Sequence, residues 1–189
     1  KINLFGHPGA ILLYASAIAW FIYNKAGYYT PGAGRRILDK MAKGAVNSSL
    51  GIVAMVGMAV VMSHSGMTNL LAQGLSQSFG RAFYPAIAPF IGALGAFITG
   101  SNNNANVLFA GLQMRTAELL QLSVTLILAS QTAGGSLGSI MAPAKVIVGC
   151  STVGLGDHEG IVMGKILGYG LIPVAWVALF TLLLAGGGG

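Results

Sequence analysis

The chain has 189 residues, 54% of them hydrophobic and only 7% charged, with a mean hydropathy of +0.76. Soluble domains carry about 25% charged residues, so too few polar groups remain here to cover a water-facing surface, and the composition fits an integral membrane protein. The formal charge of +6 does not point to nucleic acid, because five of the ten basic residues (Lys25, Arg35, Arg36, Lys40 and Lys43) lie in one short connection, where they read as an orientation signal.

The first apolar run, PGAILLYASAIAWFIY over residues 8–23, is expected to be a short spanning helix with Trp20 and Tyr23 near its interfacial end. In the connection after it, Ile37, Leu38, Met41, Ala42 and Ala45 recur at helical spacing, while Arg35, Arg36, Asp39, Lys40 and Lys43 take the opposite face. That is the pattern of a helix lying on the membrane surface. Its positive charge places it in the cytoplasm and sends the next helix, about residues 46–63, outward.

Residues 83–99 (FYPAIAPFIGALGAFIT) and 107–114 are apolar arms on either side of GSNNNAN, residues 100–106. At 1.5 Å per residue the arms are about 25 Å and about 12 Å long, short of a hydrocarbon core of about 30 Å, so a re-entrant hairpin is expected with the heptapeptide at its tip. Beyond Arg115 and Glu118, a run long enough to span is interrupted by QTAGGSLG, residues 131–138, and reads as a helix in two halves. Residues 161–184 form the clearest spanning segment, with Pro173 as a kink; the acidic GDHEG turn before it falls inside. The lone Cys150 has no disulfide partner in the chain and reads as packing. Residues 1–185 are expected to form a single membrane transport domain belonging to a longer protein, with the glycine tail, residues 186–189, set apart as a linker or an artefact.

A non-helical stretch at membrane depth has to line a cavity or be buried in protein, because an exposed backbone group costs several kcal/mol in hydrocarbon. The two polar interruptions are therefore the candidate site. GSNNNAN offers the Ser101 hydroxyl, the amides of Asn102, Asn103, Asn104 and Asn106, and the positive end of the following helical arm. QTAGGSLG adds Gln131, Thr132 and Ser136, with bare backbone at Gly134, Gly135 and Gly138. Helix amino ends favour an anion, whereas unwound carbonyls suit a cation; together they point to a small anion carried with a cation. The blander readings are an extramembrane turn for GSNNNAN and a glycine-rich packing kink for QTAGGSLG.

Other residues carry weaker signals. Lys145 either reaches a substrate carboxylate or snorkels to the interface. His64 is a candidate proton carrier, because histidine changes charge near neutral pH; its alternative is a capping or interfacial role. Asp157, His158 and Glu159 are consecutive on a short turn and read as a solvated loop, not a metal site. Gly134 to Gly138 matches G-x-S-x-G, but the strand and parallel sheet that a nucleophile elbow needs are missing, so an enzyme is not expected. GLGDHEG misses the dinucleotide-binding spacing by one residue.

The segments VMSHSGMTNLLA, TGSNNNANVLFAGLQ and ASQTAGGSLGSIMAPAKVIVGCSTVGLGDHEG resemble, in order and spacing, motifs of the L-lactate permease family. The resemblance covers about residues 45–184. It implies a proton-coupled symporter of L-lactate, glycolate and related 2-hydroxymonocarboxylates in the bacterial inner membrane. The implied fold is all-α: one repeat of an elevator-type ion transporter, with an interfacial helix, a re-entrant hairpin and a broken transmembrane helix. Carried over residue by residue, it places Ser101, Asn102, Asn103 and Asn104 at the hairpin tip and Gln131, Thr132, Gly134, Gly135 and Ser136 at the helix break. The chain departs from relatives that carry an acidic residue at Asn102 and a lysine at Ser139. The implied partners are a small carboxylate, the lipid bilayer and an inverted N-terminal repeat outside this chain; a homo-oligomer stays open. No cofactor is implied beyond the coupling ion, H+, with Na+ as the alternative. Two rival readings are a sodium-coupled carrier of another carboxylate and a non-transporting membrane subunit.

Overall fold

The computed structural model describes residues 6–187. Among these residues it is all helical: α1 (Pro8–Lys25), α2 (Ala33–His64), α3 (Met67–Thr99), α4 (Asn102–Leu119), α5 (Val124–Ile140), α6 (Pro143–Thr152) and α7 (Glu159–Gly186). Four stretches are long and apolar enough to cross a membrane: α2, α3, α5 with α6 as Val124–Thr152, and α7. This is a multi-pass membrane architecture. The 18-residue α1, expected to span, is not among the four. The chain divides between Ser49 and Leu50 into two compact units.

In the first unit, α1 starts at His7, whose ring accepts from the Gly9 N–H at 3.1 Å, with Pro8 preset for the first turn. It ends where Gly27 takes a left-handed φ of 73° and the Tyr28 N–H returns to the Tyr23 carbonyl. Arg36 donates to the Thr30 hydroxyl at 2.6 Å and so holds the entry to α2. The separate surface helix expected over the basic connection is absent: Arg35, Arg36, Asp39, Lys40 and Lys43 lie on the first turns of α2, which continues to His64. Gly44, between the basic turns and the apolar run, costs about 1 kcal/mol relative to Ala, too little to end a helix.

The second unit is built around α3 and α5. α3 bends at Gly80, whose φ of 60° and ψ of 178° are open only to glycine. Its buried residues lie mainly beyond that bend: Tyr84, Pro85, Ala88, Pro89, Gly92, Ala93, Gly95 and Ala96. The first hairpin arm is thus the second half of a 33-residue helix, and α4 extends to Leu119, well past the expected 107–114. Arg115 and Glu118 do not end α4; they pair within it at 3.1 Å.

Lipid gives helices little hydrophobic reason to associate, so close packing of small residues carries the contact. A Cβ on Gly92 would strike the Gln131 carbonyl, one on Gly134 the Pro89 carbonyl and one on Gly138 the Ala93 carbonyl. Three glycines therefore bring the backbones of α3 and α5 together. Gly95 in turn seats the Phe109 ring of α4, 2.7 Å from where its own Cβ would stand. A buried polar clamp fixes the same pair, with the Tyr84 hydroxyl donating to Gln113 Oε1 at 2.6 Å and Gln113 Nε2 donating to the Ala88 carbonyl at 3.0 Å. α7 packs through Val174, Ala178 and Thr181, spaced for one face, while Ile172, Trp176, Phe180 and Leu183 face outward as a lipid-contacting side would.

The break expected within QTAGGSLG lies elsewhere. Residues 131–138 are continuous helix in α5, and the interruption falls at Met141 and Ala142, before α6. Pro143 is the cause, because its ring drives the preceding residue out of the helical region, and Ala142 sits at ψ 133°. Both interrupted residues are buried, at 3% and 1% exposure, and Gly170 of α7 packs directly against Met141. Buried in protein, irregular backbone at membrane depth is tolerated.

Candidate functional site

The turn between α3 and α4 is only two residues long. Gly100, with φ 72°, ends α3, and Ser101 caps α4, its hydroxyl accepting from the Asn104 N–H at 3.4 Å. The asparagines expected as an irregular tip are therefore the first helical turns of α4, and Asn102 and Asn106 share one face at i, i+4. A Cβ on Gly100 would lie 4.0 Å from Ala142 Cβ, so the α3–α4 turn and the α5–α6 interruption adjoin.

The two polar stretches meet along α4 and α5. Asn102 Nδ2 donates to Ser136 Oγ at 2.9 Å, and the Ser136 hydroxyl donates to the Thr132 carbonyl at 3.0 Å. One turn along, Asn106 Oδ1 accepts from Gln131 Nε2 at 3.0 Å and from the Thr132 hydroxyl at 3.4 Å. Gly135 makes the fit possible, since a Cβ there would collide with Asn102 Oδ1. Two side-chain oxygens in this seam, Asn102 Oδ1 and Gln131 Oε1, are buried without a hydrogen-bond partner. Beside the seam, Thr132 and Ser136 are exposed and line an open groove with Thr125, Leu128, Ala129 and Ala133.

The structure thus brings together Asn102, Asn106, Gln131, Thr132, Gly135 and Ser136. Ser101 and Asn104 form the cap at the head of the seam, and Gly134 turns away to pack on α3. Asn103 is exposed and makes no bond to α5 among the described residues. Lys145 is exposed on α6 and lines a different cavity, with Ile140, Val153 and Ile166. His64 ends α2, its Nδ1 2.9 Å from the Val60 carbonyl, which is a capping position. Asp157 and His158 are exposed, and among the described residues no three His, Cys, Asp or Glu side chains converge on a metal position. The Tyr84–Gln113 clamp was not legible beforehand; its sequence signal is two polar side chains on apolar helices. An apolar groove of about 630 Å³ around Trp20 and Met41 lies in the first unit and carries almost no polar chemistry.

The seam has hydrogen-bonding groups but no charge: every polar side chain in it is an amide or a hydroxyl. Such a site orients a small polar molecule and holds no nucleophile paired with a base or metal. The chain is 34% identical to the glycolate permease GlcA of Escherichia coli over 137 residues, 72% of this chain and 24% of that protein. It is 29% identical to the L-lactate permease of Salmonella typhi over 98% of this chain and 32% of that protein, and 28% identical to that of Bacillus subtilis over 97% and 31%. The chain therefore spans about a quarter to a third of the length of these curated relatives. No solved structure matches it. The family model for L-lactate permease matches residues 1–186, nearly the whole chain, and the protein belongs to that family of permeases, which are transporters and not enzymes.

Proposed function

We propose that this chain forms one part of a carrier for L-lactate, glycolate or a similar 2-hydroxymonocarboxylate in a bacterial inner membrane, with uptake coupled to protons. The observation that carries the reading is the seam itself, in which Asn102 and Asn106 of α4 meet Gln131, Thr132 and Ser136 of α5 at the level where both helix paths are interrupted. The amino end of α4 supplies unpaired N–H groups and a positive dipole end for the carboxylate, while the neutral amides orient the rest of the molecule. The glycine contacts of α3 with α5 and the Tyr84–Gln113 clamp favour rigid movement of α3, α4, α5 and α7 as one body, as an elevator mechanism requires. The remainder of the carrier, including an inverted partner repeat, comes from sequence outside this chain; a second copy of the carrier is compatible with this reading.

The test is uptake by the full-length protein in proteoliposomes. Labelled lactate accumulates under an inward proton gradient, the accumulation collapses without the gradient, and Asn102→Ala lowers it at least about tenfold, the loss of about 1.4 kcal/mol of binding. Uptake indifferent to both changes would overturn the reading.

Sodium coupling is the second reading, favoured by one observation: the seam contains no titratable side chain, while two of its oxygens have no donor. Replacing sodium with choline in the same assay separates the two. A non-transporting subunit predicts no lactate uptake at all. Intolerance of a side chain at Gly134 does not discriminate here, because the α3 backbone occupies that place on either reading.

A further inference from the structure

Resting on the carrier reading above, we infer that Gln131 Oε1, together with Asn102 Oδ1, reads the hydrogen of the substrate's 2-hydroxyl, so that this seam selects 2-hydroxy acids over plain monocarboxylates. The inference follows from counting donors and acceptors. Gln131 is 1% exposed, its amide nitrogen is bound to Asn106, and its carbonyl oxygen has no partner. Asn102 repeats the pattern one helical turn away: its amide nitrogen is bound to Ser136 while its oxygen is packed against Gly135 without a donor. No neighbouring hydroxyl is free to supply the missing hydrogen. Ser136 donates to the Thr132 carbonyl, Thr132 to Leu128 and Asn106, and Ser130 to the Ile127 carbonyl.

Buried polar atoms without partners are uncommon and costly. Two in one seam, of the same kind, make an acceptor position that a hydrogen-bond donor completes on the proton-coupled reading, as a cation would on the sodium-coupled one. The carboxylate of the substrate has none, and its acceptor oxygens suit the N–H groups at the head of α4. On a 2-hydroxymonocarboxylate anion the hydroxyl is the single donor. A binding site with buried acceptors rejects an analogue that lacks the donor, because the acceptors then stay unpaired. Asn102 is the more accessible of the two: it is only partly buried, and its amide nitrogen is bonded to Ser136, which lines the open groove.

The experiment is competition against labelled lactate in proteoliposomes of the full-length carrier, with propionate and 2-fluoropropionate as probes. Both match lactate closely in size; the fluorine keeps an electronegative atom at carbon 2 but carries no hydrogen. Both are expected to compete at least about tenfold more weakly than unlabelled lactate. Gln131→Met, which keeps the length and removes the acceptor, is expected to bring the three inhibition constants within about threefold of one another. If 2-fluoropropionate competes as well as lactate in the native carrier, the inference is overturned while lactate transport stands. If Gln131→Met retains the native preference, Gln131 is not the reader. Absence of lactate uptake in the native carrier would instead remove the functional reading on which the inference rests. Should Gln131→Met fail to reach the membrane, Asn102→Leu is read in its place, and the native preference retained there overturns the inference.

Discussion

The eight residues QTAGGSLG face two neighbours, and α5 treats them differently. Toward α3, Gly134 and Gly138 present no side chain, and the helices meet backbone to backbone. Toward α4, the side chains of Gln131, Thr132 and Ser136 meet those of Asn102 and Asn106 through hydrogen bonds. The first contact is dense and tolerates nothing added. The second leaves two acceptors unpaired and a groove open. A segment that reads as a helix break is therefore a continuous helix with a packing face and a chemical face. Glycine serves close approach here, and the helix is broken elsewhere.

That contrast breaks in predictable ways. The largest effect is expected from Gly138→Leu, which drives a side chain into the α3 backbone at Ala93; such overpacking costs more than about 4 kcal/mol, and the detergent-solubilised protein should lose its cooperative thermal transition. Next is Tyr84→Phe, which leaves Gln113 Oε1 buried without its donor and should cost about 1–3 kcal/mol in the same melt, with lactate preference unchanged because the clamp lies away from the amide seam. A change of opposite sign comes at Gln121, which holds a left-handed φ of 53° at the end of α4, where the Leu122 N–H returns to the Ala117 carbonyl. Gly27 serves the equivalent place after α1, so Gln121→Gly should stabilise by up to about 1 kcal/mol. The smallest effect on stability is expected from Asn102→Ala, about 0.6 kcal/mol, typical of one interhelical hydrogen bond in a membrane. Its effect on uptake is nonetheless the large one, and that separation between stability and transport is what distinguishes the two faces of α5.

Much of this was legible from residue types, and the failures have physical causes. Apolar run lengths gave most of the order of the helices, and the family resemblance implied that GSNNNAN meets QTAGGSLG, which fits the need of polar groups confined to hydrocarbon to find one another. The position of the break was missed because glycine was weighed above proline: Pro143 forbids helix at Ala142, whereas glycines 134, 135 and 138 cost helix stability that close contact with α3 and Asn102 restores. The surface helix was missed for a related reason. Its change from amphipathic to uniformly apolar is a change of surroundings along α2, with no residue that stops a helix at the boundary. The asparagines looked like a loop because asparagine disfavours helix interiors, yet Ser101 caps them into one and two of them find amide and hydroxyl partners across the seam.

The central claim, that the amide seam between α4 and α5 holds the substrate, is tested most directly by ligand-induced thermal stabilisation of the purified full-length carrier. A ligand at about 100 times its dissociation constant adds about 2.7 kcal/mol to the folded state. The account predicts that lactate raises the melting temperature of the native protein by several degrees and leaves that of Asn102→Ala almost unmoved, although the two melt close together without ligand. An equal rise in both proteins would contradict it.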